Sequence, residues 1–190
     1  MLSLAPGVLF DADKHEYWYK GKQLSGVTGL ISKKLGLKYS SSFVDEHREE
    51  GLHIHKAIQR WIETGYADSV HPGVKWVIEK LVFHDQFYSE VLVTDFKEYA
   101  SSVDLVYDFA GQTMGNVHIY DIKKGKFSRE YVTWQLSIYK YFIEKTTKYK
   151  VTKCYCLAIK DKEVYPIFPK SEEVISQMLY GYYATGSVTV

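Results

Sequence analysis

Within the run Tyr120-Asp121-Ile122-Lys123 an acid and a base stand two residues apart. Side chains on a strand repeat every two residues, so Asp121 and Lys123 share one facing if this run is extended. A carboxylate in that position can hold Mg²⁺ or Mn²⁺, which prefer oxygen ligands. The ammonium beside it can orient an attacking water and stabilise charge that develops on a phosphate. Taken alone, the pair reads more readily as an exposed ion pair at a strand end.

Other residues agree with the chemical reading. Asp104 sits in Ser102-Val103-Asp104-Leu105-Val106, an acid among β-branched and aliphatic neighbours. A buried carboxylate is costly without a partner, which a metal or an internal base would supply. Asp104 and Asp121 fall on consecutive strands joined by a turn, which can bring both acids to one point. Glu90 opens the strand before them and offers a third carboxylate, directly or through water. His55 follows Gly51 by four, one turn away on the same helix face, and a glycine there leaves room for a backbone or a substrate. Imidazole is a better ligand for Mn²⁺ than for Mg²⁺. His53 faces elsewhere. Gln135 and Tyr139, also four apart, set an amide and a phenol on one helix face, able to bond phosphate or sugar oxygens; core packing accounts for them as well.

The elements that must position these groups follow from periodicity and turn residues. Val8 to Phe10 and Glu16 to Tyr19, followed by Lys20-Gly21-Lys22, predict a β-hairpin, and a short helix follows Ser25. Ser42-Phe43-Val44-Asp45 has capping-box spacing and opens a helix that runs past His55 to Gly65. Pro72 starts another. Strands are expected over 89–97, 99–109 and 117–123, with Gly111, Gly115 and Asn116 turning the last two. A helix over 129–145 separates them from strands over 151–159 and 163–168, and a closing helix spans 172–182. A helix between strands of one sheet predicts a mixed α/β core.

At 190 residues, 46% of them hydrophobic and 25% charged, the chain reads as one soluble globular domain. No apolar run approaches the ~20 residues of a membrane-spanning helix. The opening Met1 to Pro6 lacks a basic region and a cleavage site, so the expected location is the cytoplasm. Cys154 and Cys156 alternate on one apolar stretch and read as small buried hydrophobes. Net charge is only +1, yet residues 121–160 hold ten basic side chains against three acidic ones. Among them Lys124, Lys126 and Arg129 follow Lys123 closely and make a field that attracts phosphate, although a solvated helix face needs many of these lysines too.

Gly51-Leu52-His53-Ile54-His55, Glu90, Ser102-Val103-Asp104, Asp121-Ile122-Lys123-Lys124-Gly125 and Gln135-x-x-x-Tyr139 come in the order found in RecB-like nucleases. Over about residues 45 to 160 the chain resembles these members of the PD-(D/E)XK superfamily, which also includes lambda-type phage exonucleases. Ser25-Gly26-Val27-Thr28 after the opening hairpin is similar to small phage members. Ser102 stands where the family commonly has glycine, and Lys124 replaces a small hydroxyl residue.

The resemblance implies an α-βββ-α-β core with a mixed central sheet flanked by helices. It implies a single nuclease domain over 1–190, with the hairpin and short helix in 1–40, the catalytic core in 45–160 and a C-terminal strand and helix in 161–190. It also implies hydrolysis of DNA phosphodiesters with one or two Mg²⁺ or Mn²⁺ ions. His55, Asp104 and Asp121, with the Ile122 carbonyl, would ligate metal, Glu90 would join the catalytic set, and Lys123 would position the water. Gln135 and Tyr139 would organise the site and contact DNA with Lys124, Lys126 and Arg129. Exonuclease action in recombination, repair or replication, beside a partner protein of such a process, is the preferred expectation. The alternatives are an endonuclease of the same superfamily, a DNA-binding or assembly module without catalysis, and a purely structural metal site.

Overall fold

Lys20 and Gly21 both take positive φ, 49° and 78°, the two-residue turn whose twist suits adjoining antiparallel strands. In the computed structural model this turn joins Glu16–Tyr19 (β2) to Lys22–Gly26 (β3), with Tyr19 opposite Lys22. The structure describes residues 2–12, 14–36, 44–67, 71–81, 86–109 and 115–181, and for 44–49 the backbone alone. Val8–Asp11 (β1) pairs with β2, so the predicted hairpin is a three-stranded meander. Its third strand, Lys-Gln-Leu-Ser-Gly, carries no β-branched residue to announce it.

Val27–Lys34 forms α1, Val44–Thr64 forms α2 and Pro72–Lys80 forms α3. The expected cap at Ser42 and Phe43 lies outside the described residues. The long strands are Phe87–Thr94 (β4), Tyr99–Asp108 (β5) and Asn116–Lys123 (β6). β4 stops at Thr94 rather than at residue 97. The Asp95 carboxylate accepts the amide protons of Lys97, Glu98 and Tyr99, and Phe96 has a φ of 58°, so the chain is already turning. Arg129–Thr146 (α4) crosses from β6 to Lys150–Ala158 (β7); Glu163–Ile167 (β8) and Glu172–Tyr180 (α5) follow. Gly181, with a φ of 71°, ends α5 two residues before the predicted boundary.

The eight strands form one mixed sheet in the order β1-β2-β3-β5-β6-β7-β8, with β4 also on β5. β3 with β5 and β6 with β7 are parallel; the other pairs are antiparallel. Helices α1, α4 and α5 cover one face through Val27, Ile31, Leu136, Phe142 and Ile175, which pack with Val103, Val106, Ile119 and Cys156. Helices α2 and α3 cover the other through Ile54, Ile58, Val74 and Val77, which pack with Leu105, Ile122 and Leu157. Cys154 and Cys156 are free and share the first core, and burial pushes both thiols up to about 12. No helix of the described residues is long and apolar enough to cross a membrane.

Two features of β5 set up the site. β4 occupies one of its edges from Ala100 to Tyr107, so β3 and β6 must share the other. β3 pairs there at Tyr99 and Ala100, and β6 from Leu105 to Asp108. Residues 101–104 of that edge have no partner among the described strands. Moreover, Val103 and Leu105 are two apart yet belong to opposite cores. Strict alternation would put them on one face, so the strand rotates at Asp104.

Candidate metal centre

The partner of Asp104 across the β4–β5 ladder would be Glu90, and the register skips that pair: Ser89 opposes Leu105 and Val91 opposes Val103. Glu90 has a φ of 50°, a left-handed conformation that costs a non-glycine residue roughly 1–2 kcal/mol. The two strands kink together, and both kinked residues are acids. Thus Glu90 lies inside its strand rather than at its start. Its Oε2 accepts the Ser102 hydroxyl proton at 2.7 Å.

Asp104 occupies the fork where β5 and β6 separate. Its Oδ2 accepts the Ile122 amide proton at 2.6 Å, doing for β6 what the next ladder carbonyl would have done. α2 packs on β4 and brings His55 over both acids. His55 Nδ1 lies 3.5 Å from Glu90 Oε1 and 3.7 Å from Asp104 Oδ1. One ligand atom from each of the three residues falls within 4.8 Å of the others, an arrangement that can hold a metal ion.

The electrostatics are those of crowded negative charge. Burial raises the Asp104 carboxyl, and Asp121 and Glu90 add to it against His55 and Lys123, so it titrates at about 7. Burial is the largest influence on His55 and pulls it down, but Asp104, Glu90 and Asp121 together carry it up to about 9. Lys123 behaves alike: burial lowers it, while Asp121 and Asp104 more than reverse that.

Asp121 and Lys123 form the second half of the site, on the first-core face of β6. Lys123 Nζ lies 2.9 Å from each carboxylate oxygen of Asp121 and donates to Oδ1. It also donates to Gln135 Oε1 at 3.3 Å. Gln135 Nε2 donates to the Tyr139 hydroxyl at 2.8 Å, which shares a proton with Ser101 Oγ at 2.9 Å. One chain of bonds therefore runs from β6 through α4 to the unpaired stretch of β5. Asp121 is 1% exposed, and its Oδ2 is buried with no hydrogen-bond partner among the described residues despite the nearby ammonium.

The expected site residues divide between those that meet in the fork and those engaged elsewhere. The compact group contains His55, Glu90 and Asp104, while Asp121 stands outside it, paired with Lys123. Tyr139 was expected to touch DNA, but it is 1% exposed and both of its polar contacts are internal. Gln135 is also buried. Lys124 is tied to Glu50, which also faces His71 Nε2 at 3.2 Å, and is not a free phosphate anchor. Arg129 is exposed but donates to the Pro166 carbonyl, and Lys126 is exposed. A side chain at Gly51 would meet nothing within 4 Å, so no close approach by described residues uses that glycine. Ser101 and Glu50 carry no role in the sequence reading, and Ser102 enters it only as the residue at a family glycine position; two adjacent hydroxyls in a strand just ahead of a buried acid are the available signal.

No protein-family model matches the chain, and no curated protein matches it either.

Proposed function

We propose that the protein is a divalent-metal-dependent deoxyribonuclease with a PD-(D/E)XK type of core, made of α2, β4 to β6, α4 and β7. The observation that carries this reading is the meeting of His55, Glu90 and Asp104 in the β5–β6 fork, with the Asp121–Lys123 pair on the adjoining strand.

The residues fit a hard divalent cation. One imidazole and two carboxylates suit Mn²⁺ or Mg²⁺, and the acids that draw the His55 proton and oppose ionisation of buried Asp104 make a negative field that such a charge would neutralise. Asp121 Oδ2, beside the Lys123 ammonium but without a hydrogen bond of its own among the described residues, offers a further oxygen, and a second ion would draw on it. The N–H and C=O of one strand residue face the same neighbour, so the Ile122 carbonyl shares the fork with Asp104. A bound cation would neutralise phosphate charge and acidify a coordinated water.

The chain's own groups position the reaction. Lys123, fixed between Asp121 and Gln135, holds an ammonium where it can orient the attacking water and balance charge growing on the phosphate. Gln135 keeps Lys123 from swinging away, and Tyr139 and Ser101 keep Gln135 in place. Lys126 and Arg129, exposed beyond β6, add to the field that draws the DNA backbone. Exonuclease action in the cytoplasm, alongside recombination or replication proteins, is the form this reading takes by resemblance.

The test is digestion of end-labelled linear and covalently closed circular DNA with Mg²⁺, Mn²⁺ or chelator, beside Glu90→Gln and His55→Ala. Metal-dependent loss of linear DNA, abolished by Glu90→Gln, is expected. Efficient cutting of closed circles replaces exonuclease with endonuclease. Intact substrates in every metal, with binding retained, would replace catalysis by a DNA-binding role.

A further inference from the structure

Both acids of the His55 group keep one oxygen occupied within the protein. Glu90 Oε2 accepts the Ser102 hydroxyl proton at 2.7 Å, and Asp104 Oδ2 accepts the Ile122 amide proton at 2.6 Å. The remaining oxygens are the ones nearest His55 Nδ1, Glu90 Oε1 at 3.5 Å and Asp104 Oδ1 at 3.7 Å. A short hydrogen bond makes an oxygen a weaker donor to a cation and fixes the plane of its carboxylate. Each acid therefore has one oxygen to offer, and with the imidazole the group presents one ligand atom per residue. The two bonds differ in origin. The Ile122 amide is backbone, whereas the Ser102 hydroxyl belongs to a side chain at which this sequence departs from the nucleases it resembles. Ser102 is also held in place: it opposes Leu92 in the β4–β5 ladder, and the hydroxyl of buried Tyr17 bonds its backbone.

Divalent ions respond differently to such a set. Ca²⁺ gathers about 6–8 oxygens and readily takes both oxygens of a carboxylate, whereas Mg²⁺ is octahedral, keeps several waters and is held by one or two carboxylates. Mn²⁺ shares the octahedral habit. We propose that Ser102 sets the ion preference of the centre: by occupying Glu90 Oε2 it keeps Glu90 a one-oxygen ligand and selects Mn²⁺ and Mg²⁺ over Ca²⁺. This rests on the metal-dependent nuclease reading and adds which cation the centre retains. Without the hydroxyl, Glu90 is free to turn both oxygens to the ion, and the set gains the extra oxygen that a larger cation uses.

The experiment reads metal binding without DNA. Free Mn²⁺ is followed by electron paramagnetic resonance as it is titrated with wild type, Ser102→Ala, Ser102→Gly and Ser102→Thr, and Ca²⁺ is then added as competitor. Relative to Mn²⁺, Ca²⁺ should bind the alanine and glycine variants about tenfold more tightly than wild type, the effect of one added ligand oxygen. Ser102→Thr keeps the hydroxyl and should restore the wild-type preference, a rescue that a packing role for the serine does not predict. Melting curves verify that each variant folds. An unchanged preference in the alanine and glycine variants overturns the inference and leaves the nuclease reading standing, and so does a threonine variant that follows alanine. Digestion of labelled DNA by wild type in Mn²⁺ tests the nuclease reading separately. Intact DNA beside a shifted preference overturns that reading and keeps the role of Ser102; wild type that binds neither ion overturns both.

Discussion

On the proposed metal reading, two demands on Asp104 conflict. It must be ionised to ligate a cation, yet burial and two neighbouring acids hold its carboxyl at about 7. His55 is held at about 9 by the same acids. Both values lie above those of the unfolded chain. Each group therefore contributes stability that is full below its ordinary value and is lost as pH rises through about 7 for Asp104 and about 9 for His55. A cation binds only the deprotonated forms, so the rise in melting temperature on adding Mn²⁺ should grow from about pH 6 up through about pH 9. A shift independent of pH would remove these two residues from the ligand set. Glu90 yields a different prediction. Glycine at that position relieves the left-handed strain but loses the Ser102 bond, so Glu90→Gly should change stability by no more than about 1 kcal/mol while removing metal binding. Urea melts and a Mn²⁺ titration measure the two effects separately; a loss of several kcal/mol would mean that the carboxylate mainly holds the strands together. Removing Lys123 is harsher. Lys123→Ala leaves the Asp121 charge buried, and a cost of about 2 kcal/mol or more is expected in urea melts.

At the scale of elements, the site depends on a sheet that departs from regularity. The kink shared by β4 and β5 turns Glu90 and Asp104 out of the ladder, and α4 braces the fork through Gln135 and Tyr139. Tyr139→Phe removes one hydroxyl and strips a partner from both Ser101 and Gln135. It should cost about 1–2 kcal/mol and lower kcat with little change in KM, since the phenol is out of reach of substrate. A raised KM with kcat intact would place Tyr139 in binding instead. Most of these elements were legible in the sequence because they carry strong periodicity: α4 and the three long strands lie within a few residues of expectation. β3 was not, since its two-residue pairing with β5 is made by Ser25 and Gly26, which carry no strand signal. The acids were legible as residue types, but their grouping was not. Alternation along β5 fails at Asp104, and the backbone of Glu90 enters a region that nothing in its neighbours announces, so Glu90 was ranked behind Asp121.

The whole molecule holds α2, and with it His55, by its second helical layer. His71 begins α3 with its Nδ1 accepting the Gly73 amide proton, while its Nε2 faces Glu50. Gly73 lies so close to the sheet that an added Cβ would meet Ile159 Cγ2 at 2.3 Å. Gly73→Ala should therefore push α3 outward, cost about 1–3 kcal/mol in denaturant melts, and weaken Mn²⁺ binding through α2. Loss of stability with unchanged Mn²⁺ affinity would show that α2 keeps its place without α3. Charge acts at this scale as well. Lys124 is paired with Glu50, so if the protein binds DNA as proposed, Lys126 and the stretch that follows would meet the backbone and binding should weaken with salt with a shallow slope.

The Asp104–Ile122 bond has a practical outcome for anyone seeking a substrate-bound complex. A variant for trapping must be inert and still correctly built, and the side chain at 104 closes the gap between two strands as well as facing His55. Replacing it removes the acceptor of the Ile122 amide and invites rearrangement where the two strands separate. His55, with 26% of its side chain exposed at the rim, carries no strand-to-strand bond in the described structure. The trap of choice is the imidazole, with every acid left in place.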